Sequence, residues 1–352
     1  MKTRMIYRAV VAMACAVLAV PIVSAQGSVK EVPRVFINPG HGGHDSNDRP
    51  SPFFNEGVGD TVAYYESDSN ILKGNALMDI LLKKGYEVAT TRVNNTSADD
   101  LDLFEIMSLA ANSGADMFFA IHSNATGTKR KTNFPLALYR GYTGEPAVAG
   151  SDEISALIMK HLQGNKATSW VRETPVLAGD WTFYDWGPKV GLGVLRYNKL
   201  PGLLSEGSFH DYIPERCRLL NHDYCWLEAW NQSLGIDEWF GKSGDYGVGV
   251  VAGRILNIHE ERKDSEQLFA EDKFRPVNHA RVTLKSLADG AESVYYTDYL
   301  ENGIFVFKDL RPGRYLLQAE KWGSKLLTKK EVIVKGNEVT YCNIKTSAVA
   351  NM

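Results

Sequence analysis

The feature that most constrains this chain is an apolar run, RVFINP, that empties into a histidine set among three glycines, PGHGGH, and is followed by a long helical stretch and a second apolar run. A strand, helix, strand succession commits the region to a sheet with helices packed on its faces. The pattern continues from Val35 to about Phe240, with strands expected at RVFINP, YEVATTR, DMFFAIHSN, LALYRG, GVLRYN and GLLSEG. Between the first two, Glu66 to Lys84 reads as a helix. Its apolar residues Ile71, Leu72, Leu77, Met78, Leu81 and Leu82 recur at spacings near three and four, and Gly85 ends it. DLFEIMSLAANSG and SDEISALIMKHLQG give further helices, the second opening on Ser151 and Asp152, which suit an N-terminus. The expected fold class is α/β, a twisted mixed sheet flanked by helices.

Around FGKSGDYGVG the composition turns glycine-rich and the helical period ends. Beyond it, VVAGRIL, ARVTLKS, SVYYTD, GIFVFKDL, RYLLQAE, KKEVIV and VTYCNIK alternate with turn residues. About seven short strands in that length predict an all-β sandwich. The expected organisation is therefore residues 33–240 as the α/β domain and 249–346 as the sandwich. Residues 1–25 precede both: Lys2, Arg4 and Arg8 before AVVAMACAVLAV, with Val23-Ser24-Ala25 closing the run, read as a signal peptide cleaved after Ala25. The expected location is periplasmic or secreted. No later stretch is apolar enough to span a membrane, so the mature chain is expected not to.

A formal charge of −3 excludes the basic face that nucleic-acid binding wants, so no nucleic-acid partner is expected. The cysteines beyond the leader are Cys217, Cys225 and Cys342, an odd set. A continuous helix from Cys217 to Cys225 would hold them about 12 Å apart, beyond disulfide reach. Buried free thiols are the expectation.

Four residues share a placement that suits chemistry. His41 follows the first strand, His122 ends DMFFAI, Glu206 ends GLLS, and Glu66 opens the helix after the first strand. Sites in open α/β sheets gather at the carboxyl ends of the strands, where residues distant in sequence converge. Two imidazoles and one carboxylate supply the three protein ligands of a catalytic zinc, and a second carboxylate supplies a base. Glu206 closes a run apolar enough to be buried, and a carboxylate there is costly unless paired or bound to metal. His44, His210 and His222 lie near these residues in sequence and read as loop or surface histidines. GVGVVAG opens β-sequence rather than a helix and is not a dinucleotide loop.

INPGHGGHDS, Glu66 ahead of GYEVATTR, AANSGADMFFAIHSNA and LPGLLSEGSFHDY resemble, in order, the successive motifs of the zinc-dependent N-acetylmuramoyl-L-alanine amidases of the AmiC-like type. The resemblance spans roughly residues 33 to 240. It implies one zinc ion per chain held by His41, Glu66 and His122, with Glu206 as the catalytic carboxylate. The substrate it implies is peptidoglycan, cut at the amide between the lactyl group of N-acetylmuramic acid and the L-alanine of the stem peptide. Asn124 and Arg196 are candidates for positioning substrate. Asn38 stands where the family usually has aspartate, and the 25 positions from His41 to Glu66 exceed the family's usual gap by about ten, so an inserted loop is expected to border the groove. Glu56 in that loop is the competing carboxylate, and the helix that follows Glu66 favours Glu66.

The C-terminal pattern resembles the carboxypeptidase regulatory-like domains, which are transthyretin-like or Ig-like sandwiches. That resemblance raises one rival, a zinc carboxypeptidase or other peptidase acting on wall-derived peptides. A second rival is a wall-binding homologue without catalysis.

Overall fold

A computed structural model describes residues 32–347 apart from 46, 49, 128–130, 245 and 322–325, so the leader lies outside the described residues. A six-stranded sheet forms the frame of the first part, in the order Glu87–Thr90, Arg34–Pro39, Met117–Asn124, Gly202–Phe209, Leu136–Tyr139, Val176–Gly179. The first four strands are parallel, Leu136–Tyr139 runs antiparallel to Gly202–Phe209, and Val176–Gly179 is parallel to Leu136–Tyr139. The expected mixed sheet is what forms. Its central strands read as unbroken apolar runs because both faces are covered.

One face carries the helices Glu66–Lys83, Ser151–Gln163 and His222–Trp239, whose Leu77, Leu81, Ile154, Ile158, Leu227 and Trp230 pack on Val35, Ile37, Phe119 and Ile121. Gly74 lets the first of these helices settle onto the first strand, since a Cβ there would fall 2.4 Å from Pro39. The other face is covered by helix Leu103–Asn112 and the 180–200 segment, which bury Phe36, Phe118, Ala120, Leu138 and Leu204.

The expected strand at GVLRYN is not one. Gly193–Arg196 is a single helical turn, with the Leu192 carbonyl accepting from the amides of Leu195 and Arg196. The sheet position it would need is filled by Val176–Gly179, and a run without a pairing partner satisfies its backbone locally.

The C-terminal part is a β-sandwich. Gly249–Glu261 is the spine of one sheet, pairing antiparallel with Phe274–Pro276 and Ile304–Leu310 and parallel with Val339–Tyr341 and Ile344–Thr346. The facing sheet has the order Glu292–Tyr296, Ala280–Ser286, Gly313–Lys321, Leu326–Val334. Val251, Ile255, Phe305 and Phe307 meet Val282, Leu284, Leu317 and Val332 between the sheets. The alternate residues Val250, Ala252, Ile304 and Val306 point the other way, into the core shared with the His222–Trp239 helix. The described residues thus pack continuously across the 241–248 connection. Among them, no helix is long and apolar enough to cross a membrane.

Cys217, Cys225 and Cys342 are free and buried. The chain does break between Ile213–Leu219 and the His222 helix, yet Cys217 faces Asn55 and Arg262 while the Cys225 thiol reaches the Leu219 carbonyl.

Candidate active site

The parallel strands end together at one edge, and register does the first positioning step: Glu206 lies directly opposite His122 on the neighbouring strand. His41 follows Pro39 on the next strand over. Its backbone adopts φ 60, the left-handed region, which costs a residue with a side chain of order 1 kcal/mol. The strain is held by the turn around it. Arg92, itself buried, donates from Nε to the Pro39 carbonyl at 3.0 Å and from Nη2 to the Gly40 carbonyl at 2.9 Å, and the Gly40 amide donates to Ile121 at 2.9 Å. Gly40 has to be glycine, because a Cβ there would fall 2.0 Å from Cε1 of His122. The glycines therefore bring the first strand's turn against the second imidazole.

Glu66 opens its helix without a side-chain cap from Tyr65; instead Asp48 reaches in from the inserted loop and accepts the amides of Glu66 and Ser67 at 3.1 and 2.8 Å. That cap fixes the Glu66 carboxylate between the imidazoles. Its Oε1 lies 3.0 Å from Nδ1 of His122 and accepts the Ser123 amide at 2.9 Å and Asn70 Nδ2 at 3.0 Å, while Oε2 lies 3.3 Å from Nε2 of His41. One ligand atom from each of His41, Glu66 and His122 falls within 4.8 Å of the others. Asn47 Oδ1 accepts from Nδ1 of His41 at 2.7 Å, which leaves Nε2 directed at the cluster.

The electrostatics follow from this geometry. Burial lowers the proton affinity of His41, but the hydrogen bond to Glu66 and its charge outweigh it and raise the pKa to about 9. Burial alone would raise Glu66, and the two imidazoles hold it well below the ordinary carboxylate value instead. Glu206 moves the other way. Burial, and then the Glu66 charge, push it well above the carboxylate range, and its Oε2 is buried with no hydrogen-bond partner among the described residues. Beside it, Tyr184 stacks on the half-exposed Trp186 at 4.2 Å, its hydroxyl raised by burial and then by the Glu206 charge.

Glu56, the competing carboxylate, pairs with Lys263 at 3.3 Å and Arg275 at 3.6 Å. Asn124 caps the Ala125 amide with Oδ1, and Arg196 donates to the carbonyls of Val190 and Gly191, so both side chains bond within their own loops. Asn38 is buried and accepts from Thr91 Oγ1 at 3.0 Å, tying two strands together. His44 stacks on Tyr65 and bonds Asp68. His210, read from sequence as a loop residue, is 12% exposed, stacks on Tyr64 at 5.2 Å and brings Nε2 to 3.9 Å from Glu66 Oε2. Its position four residues after Glu206 was the only hint. Lys73 is a second residue that sequence reasoning misses: fully buried, it joins Ser123 Oγ at 2.8 Å to Glu228 at 3.0 Å beneath the His122 strand end.

The inserted loop folds as a hairpin, Phe53–Asn55 with Asp60–Val62, and borders the site as expected. Arg216 anchors it, its guanidinium 5.3 Å over the Phe53 ring and Nη1 donating to the Ser51 carbonyl at 3.3 Å. Asn55 Nδ2 donates to the Leu300 carbonyl of the sandwich at 3.0 Å.

Two imidazoles around one ionised carboxylate, with a second, buried carboxyl beside them, make an arrangement for hydrolysis on a mixed α/β sheet. Residues 35–235 match the N-acetylmuramoyl-L-alanine amidase family model. A sporulation-specific N-acetylmuramoyl-L-alanine amidase of Bacillus subtilis is 24% identical over 228 residues, covering 63% of this chain and 76% of that one. An N-acetylmuramoyl-L-alanine amidase of Bacillus licheniformis is 27% identical over 226 residues, with the same shares of 63% and 76%. The crystal structure of an N-acetylmuramoyl-L-alanine amidase from Clostridium difficile aligns over 61% of this chain and 100% of that one, with a TM-score of 0.47 and 24% identity.

The chain belongs to the N-acetylmuramoyl-L-alanine amidase family. It is a peptidoglycan hydrolase that cuts the amide between the lactyl group of N-acetylmuramic acid and the L-alanine of the stem peptide.

Proposed function

We propose that this amide is cut with one zinc ion held by His41, Glu66 and His122, and with Glu206 moving the proton. The observation that carries the reading is the meeting of the three ligand atoms within 4.8 Å, a donor set of two imidazoles and a carboxylate that fits zinc. Bound there, zinc supplies a charge that polarises a carbonyl oxygen and acidifies water from a pKa of about 16 towards about 7. Glu206 Oε2, buried and unpartnered, takes the proton of the attacking water and hands it to the nitrogen of the departing L-alanine. Asn47 holds the His41 ring through Nδ1, and the Asp48 cap holds Glu66, so the ligand set is organised by the inserted loop as well as by the sheet. Export fits the substrate and the leader read in residues 1–25, and the α/β and sandwich parts are proposed as the catalytic and accessory domains.

The test is mass spectrometry of products from purified peptidoglycan. Stem peptides beginning at free L-alanine support the reading; single amino acids released from peptides lacking muramic acid would favour a peptidase. Proton competition gives a further expected result. His41 in the metal-free protein keeps a proton on the nitrogen that faces Glu66 up to about pH 9. Metal must displace that proton, so apparent zinc affinity is expected to rise with pH and level off near 9, with proton release below it. Calorimetry in buffers of different ionisation enthalpy reads this directly. An affinity flat between pH 6 and 9 would show that Glu66 does not hold a proton on His41 in the metal-free protein.

A further inference from the structure

The inserted hairpin is too small to hold its own shape. Its strands, Phe53–Asn55 and Asp60–Val62, have three residues each, and an isolated two-stranded hairpin is marginal at best in water. Its order has to come from what grips it. Towards the catalytic part, Arg216 donates to the Ser51 carbonyl, and the Ser51 amide donates to the Tyr64 carbonyl at 2.8 Å. At the tip, the grip comes from the sandwich. The buried Asn55 donates from Nδ2 to the Leu300 carbonyl at 3.0 Å, while its Oδ1 accepts the Gly57 and Val58 amides at 3.0 and 3.1 Å and so shapes the turn. Glu56 pairs with Lys263 and Arg275 of the sandwich. Gly57 lies so close that a Cβ there would fall 1.8 Å from the Tyr299 carbonyl oxygen.

The sandwich loop that receives these contacts is itself fixed. Asp298 Oδ1 accepts the Leu300 amide at 2.8 Å and Asn302 Nδ2 at 3.0 Å, and Glu301, 3% exposed, accepts Asn278 Nδ2 at 2.7 Å and Arg275 Nε at 3.3 Å. The same inserted segment carries, ahead of the hairpin, Asn47 on Nδ1 of His41 and Asp48 on the amides of Glu66 and Ser67. Two of the three proposed ligands are therefore reached from the sandwich through one short stretch of chain.

We propose that the sandwich is a working part of the metal site: by gripping the hairpin tip at Asn55 and Gly57 it keeps Asp48 in place to hold Glu66 for the ion. Asn55 is then a positioning residue that acts through Asp48. The proposal rests on the zinc reading and deepens it, since it makes the C-terminal part a condition of tight metal binding rather than an appendage.

The test measures zinc affinity by chelator competition, and amide hydrogen exchange of the metal-free protein, in full-length wild type, Asn55→Ala, Gly57→Ala, Asp48→Ala and the Asp48→Ala, Gly57→Ala double variant. Asn55→Ala cuts the bond to Leu300; Gly57→Ala wedges the turn away from Tyr299. Each is expected to speed exchange over residues 53–62 and to weaken zinc binding about tenfold, while the far-ultraviolet circular dichroism stays that of wild type. With Asp48 already removed, Gly57→Ala is expected to cost clearly less than it does alone, because the grip has lost the group it acts through. A general loss of stability would not produce that dependence on Asp48. Zinc affinity unchanged in both Asn55→Ala and Gly57→Ala, or full additivity with Asp48→Ala, overturns the proposal and leaves the zinc reading standing. Wild type that binds no zinc overturns both.

Discussion

Glu206→Gln is expected to lower turnover by about 10²- to 10⁴-fold while the protein keeps its metal and melts at a higher temperature when metal-free at neutral pH. The loss follows from removing the group that carries the proton between water and the leaving nitrogen. The gain follows from linkage. Burial and Glu66 raise the folded pKa of Glu206 above its unfolded value, so its stabilising contribution is complete below the unfolded pKa and lost as pH rises through the folded one. Glutamine has no proton to lose, so the difference in Tm between variant and wild type should grow from acid towards neutral pH. A purely structural Glu206 would give the opposite sign, with lost activity explained by lost stability.

Asp272→Ala is expected to destabilise the protein by about 3–5 kcal/mol. Asp272 is 2% exposed and sits between two buried guanidiniums. It accepts from Arg218 at 3.1 and 3.2 Å, from Arg254, and from the Tyr212 hydroxyl at 3.0 Å. Arg254 Nη2 in turn donates to Ser169 Oγ at 2.8 Å and Arg218 Nε to Glu215 at 2.8 Å, so the network clamps the sandwich's first strand to the α/β part. Removing the carboxylate leaves two buried cations with too little counter-charge. Burial raises the Asp272 pKa, but the two arginines outweigh it and hold it below the ordinary value. Its contribution is therefore full above about pH 4 and lost only as pH falls further. Urea unfolding at pH 7 measures the loss; a variant within about 1 kcal/mol of wild type would show that the clamp is not what joins the two parts.

The sheet and the meeting of the four candidate residues at its edge were legible because their signals are local. RVFINP and DMFFAIHSN are apolar runs of strand length that end in a reactive side chain, and burial of both sheet faces makes such runs continuous. The helix Glu66–Lys83 shows its period because one side meets the sheet and the other meets solvent. His222–Trp239 hides its period for the opposite reason. It is wedged between the sheet and the sandwich and buries Tyr224, Leu227, Glu228, Trp230, Asn231, Leu234 and Asp237 around its whole circumference. GVLRYN misled because alternation marks a strand only if a partner strand is free, which is a property of the assembled sheet. Asp48 and Arg92 hold the site through bonds to backbone far off in sequence, and no spacing rule announces such bonds. His210 was discounted for the same reason: its value comes from Glu66, brought beside it only by the fold.

The measurement that tests the central claim most directly is zinc content and product release, taken together on wild type, His122→Ala and Glu206→Gln. The expected result is one zinc per chain in wild type and in Glu206→Gln, little in His122→Ala, and stem peptides beginning at L-alanine from wild type alone. Zinc retained at full stoichiometry in His122→Ala, or undiminished release by Glu206→Gln, would contradict the assignment of ligand and proton carrier.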